Sequence, residues 1–256
     1  MSRKPNPALI LQAVEILRSA RYAIALTGAG VSTPSGIPDF RSAQSGLWTQ
    51  NDPMQVASLS SFRSTPQLFF DWLRPLARQI EWAEPNPAHQ ALADLQLAGI
   101  LKRLITQNID GLHQRAGSER VLELHGSASS FSCTHCATRF PAQSIQPIFL
   151  EQGGIPHCPT CQNILKPDVV LFEEQLPEAT WQQAVLECEQ ADVILVAGSS
   201  LAVFPAAWLP IRAVELGARL ILVNLSETAM DEQAECLLLA DVSEALPLIA
   251  KGILNS

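Results

Sequence analysis

Basic residues are scarce in this chain. Its 17 Lys and Arg stand against 25 Asp and Glu, a net charge of −8. That balance argues against unaided binding to phosphate backbones, so no direct nucleic-acid partner is expected. It suits a basic partner, or simply aids solubility. Cysteine is too sparse for a disulfide scaffold: there are six in 256 residues. Four form two C-x-x-C pairs, while Cys188 and Cys236 stand alone in apolar-rich segments as small buried residues. This usage points to a reducing compartment, cytoplasm or nucleus, and we expect a cytoplasmic location. No signal peptide is visible. Arg3 and Lys4 precede Pro5 and Pro7, and Glu15 interrupts "ALILQAVEIL", which reads as an amphipathic helix. There is no internal repeat and no low-complexity segment. One run, 193–211, lacks charge over a length that could span a bilayer. Gly198-Ser199-Ser200, Pro205 and Pro210 divide it, so a strand, a turn and a short helix are expected and no membrane partner.

What is present describes a globular chain, 47% apolar and 16% charged. Short apolar runs at 22–28, 101–108, 121–126, 192–200 and 219–225 end in Gly, Asn or Ser. Helical patterns at 86–98, 178–190 and 206–216 lie between several of them. Buried strands alternating with helices predict an α/β fold with a parallel sheet flanked on both faces. Ligands of such sheets bind beyond the carboxyl ends of the strands. TGAG, TQNID, ELHG, AGSS and VNLS fall at those ends. Two insertions interrupt the sheet: 46–84, rich in Trp, Phe and Leu and expected to be helical, and 131–165, which holds the C-x-x-C pairs.

Cys133-x2-Cys136 and Cys158-x2-Cys161 are separated by twenty-one residues. Two such knuckles complete a tetrahedron around one zinc ion. Four thiolates leave no open position, so the metal is expected to be structural. Two redox dithiols are the alternative, although neither pair opens a helix after a strand. His135 and His157 lie close enough to replace a cysteine.

"LTGAGVSTPSGIPDFRS" spans 26–42. Gly28-Ala29-Gly30 at a strand end lets backbone N–H groups approach a phosphate, or simply makes a tight turn. Thr33 stands where a G-x-G-x-x-G fingerprint has its third glycine. Pro34, Gly36 and Pro38 exclude a long regular helix. The resulting extended loop carries Asp39, Phe40 and Arg41, an acid, an aromatic face and a cation suited to a flat polar ring and a phosphate. "TQNIDGLHQRAGS" (106–118) offers Gln107, Asn108 and Asp110, groups that match sugar hydroxyls and a carboxamide or form an Asx-capped turn. Gly198, Ser199, Ser200 and Asn224 repeat the theme at two further strand ends. His125, ending the run 121–126, reads by itself as a core histidine, a zinc ligand or a base.

Taken together, GAGVSTPSGIPDFRS, TQNIDGLHQRAG, ELHG, the paired C-x-x-C, KPDVV-F-E and VAGSSLAVFPAA occur in the order and approximate spacing of the sirtuin family. The chain resembles these NAD-dependent protein deacylases over about residues 20 to 245. The resemblance implies a Rossmann-like NAD-binding large domain (1–45, 85–130 and 166–256). It also implies a small domain made of a helical module (46–84) and a zinc-binding module (131–165). NAD and an acylated lysine would meet in the cleft between them. By position, Gly28, Ala29, Gly30, Gly198, Ser199, Ser200, Asn224 and Val242 would contact the adenosine or diphosphate part. Arg41, Gln107, Asn108, Ile109 and Asp110 would hold the nicotinamide ribose and nicotinamide, with Thr33 and Asp39 in the same cofactor-binding set. Phe40 would shield the reactive carbon from water.

His125 matches the catalytic base, with Asn108 and Asp110 stabilising the electron-poor sugar. In such enzymes the amide oxygen of acyl-lysine attacks C1′ of the nicotinamide ribose and nicotinamide leaves. The histidine then deprotonates the ribose hydroxyls, and water releases lysine and an acyl-ADP-ribose ester. Val169, Val170, Phe172, Glu173 and Glu174 fall in the strand that pairs with the acylated peptide. Glu173 replaces the usual glycine and is expected to favour basic flanking residues. Succinyl- and malonyl-preferring sirtuins share a Tyr-x-x-Arg pair. The corresponding segment here reads "FFDWLRPLA", and the chain's single tyrosine is Tyr22, so short neutral or longer apolar acyl groups are expected, acetyl first. Two alternatives remain: an ADP-ribosyltransferase on the same NAD site, and a non-catalytic NAD or ADP-ribose sensor. The second would be marked by loss of the histidine or of Asn-Ile-Asp, and both are intact.

Overall fold

A computed structural model describes residues 4–39, 46–49 and 51–255. Its strands are β1 (Ala23–Thr27), β2 (Leu101–Thr106), β3 (Val121–Glu123), β4 (Gly126–Cys133), β5 (Arg139–Pro141), β6 (Leu165–Val169), β7 (Val193–Ala197), β8 (Arg219–Asn224) and β9 (Cys236–Leu239). Six of them form one sheet in the order β3-β2-β1-β7-β8-β9, parallel throughout. This is a Rossmann-like order. The chain reverses direction of growth between β1 and β7, and such a switch point opens a crevice at the carboxyl ends of the two strands.

Period-two alternation decides how the sheet is covered. Ala23 and Ala25 of β1 pack into one core with α1 (Pro7–Ser19), α5 (Pro87–Leu97) and α10 (Val242–Leu254). Ile24 and Leu26 face the other side, against α8 (Glu178–Gln190) and α9 (Trp208–Glu215). All five β1 residues are buried, which explains why the run reads as continuously apolar. Each buried Ile or Leu contributes about 1.5–3 kcal/mol by leaving water. Asn86 starts α5 by accepting from Ala88 N–H at 2.9 Å, with Pro87 at the first helical position.

The two insertions share a third core. The first holds α2 (Pro53–Val56), α3 (Leu59–Ser64) and α4 (Pro66–Trp82). The second joins β4, β5 and β6 into an antiparallel sheet with α7 (Ala142–Gln146). Phe69, Phe70, Leu73 and Leu76 form the buried stripe of α4. Phe70 meets Phe149 of the cysteine insert edge-on at 5.6 Å. Arg74 donates to the carbonyls of Phe149 (2.9 Å) and Gly153 (2.7 Å), and Arg78 to that of Leu150 (2.5 Å).

The expected strands and helices are all found: 178–190 with the bounds read from sequence, the first helix longer than the stretch quoted, and the others trimmed by one or a few residues. The uncharged run 193–211 resolves into β7, a turn and the start of α9. Among the described residues, no helix is long and apolar enough to cross a membrane. The loop after β1 is not simply extended: it winds through two 3₁₀ turns, Ala29–Val31 and Thr33–Ser35. Strand β9 escaped the sequence reading. Its four residues sit at the sheet edge beside Glu235, too short to show a pattern.

Candidate functional site

The loops that follow β1 and β7 touch at the switch point. Gly30 N–H donates to Gly198 O at 2.8 Å and Gly28 N–H to Ala197 O at 3.2 Å. A Cβ on Gly198 would sit 2.4 Å from Val31 N, at a φ of +60°, and one on Gly30 would sit 2.8 Å from Gly198 Cα. These glycines are therefore required by loop-to-loop packing alone. Thr33, in the place of a third glycine, donates its hydroxyl to Gly30 O at 3.0 Å and ties the turn.

Buried Asn224, at the end of β8, fixes the β7 loop from both sides. Its Oδ1 accepts from Ser199 N–H and its Nδ2 donates to Ser199 O, each at 3.0 Å. Gln107 Nε2 donates to Ser199 Oγ at 2.9 Å. Three strand ends are thus hydrogen-bonded into one rim.

His125 sits in the turn between β3 and β4, where the chain leaves the main sheet for the small one. Its Nδ1 lies 3.0 Å from Gln107 O. A carbonyl can only accept, so Nδ1 carries the proton and Nε2 is left as the basic atom. Burial lowers the imidazole's pKa from its ordinary value, and the Gln107 contact partly restores it. The ring is neutral and ready to accept a proton at neutral pH. Its own carbonyl accepts from Val170 N–H at 2.8 Å, which ties it to the segment after β6.

Behind this rim lies a buried polar network. Ser32 Oγ donates to Asp110 Oδ2 at 2.7 Å and accepts from Asn108 Nδ2 at 3.1 Å. Asn108 Nδ2 also reaches Gly28 O at 3.1 Å. His89 Nδ1 accepts from Asn86 N–H at 3.3 Å, so its Nε2–H points at Ser32, 3.4 Å away. His113 Nε2 lies 2.9 Å from Thr27 Oγ1. Burial holds His89 down at about 4 and His113 at about 3. Asp110 is raised by burial, although Leu112 N–H and Ser32 pull it back.

A cleft of about 540 Å³ opens above, within the range of small-molecule sites. Its wall includes Gly28, Ala29, Gly30, Thr33, Asp39, Gln107, Asn108, Ile109 and His125. Gly198, Ser199, Ser200, Asn224, Val242, Val169, Val170, Phe172, Glu173 and Glu174 also line it. Asp110 does not: both its oxygens are turned inward, to Leu112 N–H (2.9 Å) and Ser32. Phe40 and Arg41 lie outside the described residues. The sequence reading missed the apolar half of the wall, notably Trp48, Phe69, Trp72, Leu73 and Leu76. Its one signal was the density of Trp, Phe and Leu in the first insertion. Trp48 stacks on Trp72 with centroids 5.5 Å apart.

Glu173 has a φ of +73°, a left-handed conformation that favours glycine. Its carboxylate turns toward α3, accepting from Ser60 N–H at 2.8 Å and Ser60 Oγ at 3.0 Å. Glu174 locks its own loop, accepting from Leu171 N–H and pairing with Lys166, both at 2.8 Å.

The four cysteine sulfurs of 133, 136, 158 and 161 lie within 4.8 Å of one another. Cys133 and Cys161 are 3.3 Å apart and Cys136 and Cys158 3.7 Å. A tetrahedral zinc with sulfurs at 2.3 Å needs separations of about 3.8 Å, so the donors fit the ion. The two knuckles are built alike. Each is followed by a left-handed residue, Ala137 and Gln162, whose N–H returns to the carbonyl of its first cysteine. His157 Nδ1 lies 2.9 Å from Gln162 O rather than in the cluster.

The model of the Sir2 family matches residues 28–205. The chain belongs to the Sir2 family. It is 44% identical over 245 residues to the NAD-dependent protein deacylase 2 of Archaeoglobus fulgidus, covering 95% of this chain and 96% of that one. A Sir2 homologue solved as an NAD complex superposes with a TM-score of 0.87 at 38% identity, covering 95% of this chain and 93% of the other. Sir2Tm bound to a propionylated peptide gives 0.87 at 36% identity, with 95% and 99% covered. The resemblance drawn from sequence motifs is borne out at the level of the family.

Proposed function

We propose that this Sir2 protein is an NAD-dependent protein-lysine deacylase, acting first on acetyl groups and releasing nicotinamide and O-acyl-ADP-ribose. The observation that carries this reading is the geometry of His125. One ring nitrogen is held by Gln107 O, and the ring lines the same cleft as the glycine loop and the peptide-strand segment. NAD, bound as co-substrate, supplies an electrophilic ribose carbon and a good leaving group. Gly28, Ala29, Gly30, Gly198, Ser199, Ser200, Asn224 and Val242 would hold its adenosine and diphosphate. Thr33, Asp39, Arg41, Gln107, Asn108 and Ile109 would hold its nicotinamide ribose end, with Phe40 excluding water. Asp110 would act from behind, by orienting Ser32 and Asn108. His125 Nε2 would take a ribose hydroxyl proton so that the oxygen can attack the acyl carbon. Val169, Val170 and Phe172 would offer backbone edges to the acylated peptide. The four cysteines would hold a structural zinc.

Neutral acyl groups fit the wall best. Leu73, in the Tyr-x-x-Arg segment, lines the cleft, and no Lys or Arg does among the described residues. A carboxylate there would lose water without gaining a partner. The net charge of −8 and the reduced-cysteine pattern support a cytoplasmic enzyme without direct nucleic-acid or membrane contact.

The test is NAD consumption with and without an acetyl-lysine peptide, followed by mass analysis. Peptide-dependent formation of acetyl-ADP-ribose is expected. Label transferred from NAD onto protein instead would favour an ADP-ribosyltransferase, and NAD binding without turnover would favour a sensor.

A further inference from the structure

Glu173 breaks two habits at once. It occupies a left-handed position without being glycine, and its exposed carboxylate at the cleft rim is bonded to α3. Its neighbours explain the direction. Phe172 N–H donates to Ala57 O and Phe172 O accepts from Leu59 N–H, each at 3.0 Å, a parallel bridge centred on Ser58. Trp48 packs edge-on against Phe172, centroids 5.9 Å apart. The segment after β6 is therefore bonded at one end to His125, through Val170, and at the other to the helical insertion. The two bonds from Ser60 to Glu173 extend that second attachment by one residue.

We propose that Glu173 is a positioning residue. Its carboxylate clasps α3 and holds the 169–172 segment in place for the acylated peptide, rather than reading the peptide's own charges. The inference rests on the deacylase reading for its substrate but not for its geometry. Both carboxylate oxygens are already engaged by Ser60, so a basic flanking residue would compete with an intramolecular partner. The left-handed backbone is what aims the side chain at α3. Without the clasp, the rim segment is held to the helical insertion by its two backbone bonds and the Trp48–Phe172 contact.

The full zinc-loaded chain tests this with Glu173→Gly, Ser60→Ala and the double variant. Glycine adopts the same φ without strain, so the first change removes the carboxylate and leaves the turn intact. Ser60 lies on the far side of the clasp, in α3. Two readouts are needed. For acetyl-lysine peptides with neutral and with basic flanks, Glu173→Gly should raise peptide KM about fivefold while kcat and the KM for NAD stay within about twofold. Ser60→Ala should raise it about twofold, and the double variant should be no worse than Glu173→Gly. Hydrogen exchange, which needs no turnover, should accelerate about tenfold at the amides of Leu59, Ser60 and Phe172 in Glu173→Gly. A KM change confined to basic-flanked peptides, with Ser60→Ala silent, would overturn the proposal in favour of direct charge reading. Unchanged exchange at those amides would overturn it as well. A wild-type protein that turns over no acyl peptide would defeat the deacylase reading, while the exchange measurement would still decide the clasp.

Discussion

At the scale of single residues, the site depends on which atom of each side chain is already occupied. His125 has one nitrogen held by a carbonyl, so replacing it removes the base without disturbing the cysteines. His125→Ala should lower deacylation about 10²- to 10⁴-fold, the usual range for a general base, with zinc content by metal analysis unchanged. Because burial lowers its pKa, the wild-type rate should stay flat through neutral pH. It should fall on the acid side, below the ordinary histidine value of 6.5, as Nε2 becomes protonated. A pH–rate profile without that acid limb, or turnover retained in His125→Ala, would count against the assignment. Gly198 carries a different load. A methyl there meets Val31 N and Gly30 backbone at a positive φ. Gly198→Ala should cost about 2–5 kcal/mol in denaturant unfolding, by overpacking and left-handed strain together. Residues such as these were legible in the sequence because each ends an apolar run with a polar or glycine residue. The inward turn of Asp110 was not, since only the packing of Ser32 and Leu112 around it reveals the direction.

Elements explain what the motifs could not. Continuous apolar runs located β1, β2, β7 and β8, because both faces of each are buried apart from Lys102, Arg103 and Arg219, which are half-buried. The four-residue β9 carries no such signal and depends on β8 for its pairing. Much of the apolar wall of the cleft comes from α4, whose stripe packs on one side against the cysteine insert and opens on the other into the cleft. Sequence showed the apolar side chains but not which of them face the cleft: Phe70 is in the core, while Leu73 lines the cleft. An acetyl-lysine peptide should therefore be processed at least about tenfold faster than its succinyl counterpart, since an unpaired carboxylate on an apolar wall costs well over 1.4 kcal/mol. Comparable rates on the two peptides would show a cation reaching the cleft. Arg74 and Arg78 tie α4 to the carbonyls of the insert. Stripping zinc with a chelator should consequently raise hydrogen exchange across Pro66–Trp82 as well as around the cysteines. Exchange confined to the cysteine knuckles would show that the two segments are uncoupled.

For the molecule as a whole, the buried histidines set its acid sensitivity. His89 and His113 are neutral in the folded state down to about 4 and about 3, while the unfolded chain protonates them near 6.5. Between these values the unfolded state binds more protons, so stability falls as pH drops. Each contributes a slope of up to about 1.4 kcal/mol per pH unit between its folded value and 6.5; its stabilisation is fully present above pH 6.5 and lost below the folded value. Urea midpoints measured from pH 7 to pH 4 should decline steadily. In His113→Gln the decline should be shallower, whereas a midpoint independent of pH would show that water reaches both rings.

The third core, in which Phe62, Phe69 and Phe70 meet Phe131 and Phe149, joins two stretches of chain far apart in sequence. Neither stretch is a self-sufficient cassette. A chimera that imports only the cysteine-bearing segment from a relative would set a foreign aromatic face against native α4, and only exchanges that carry both halves together preserve the fit.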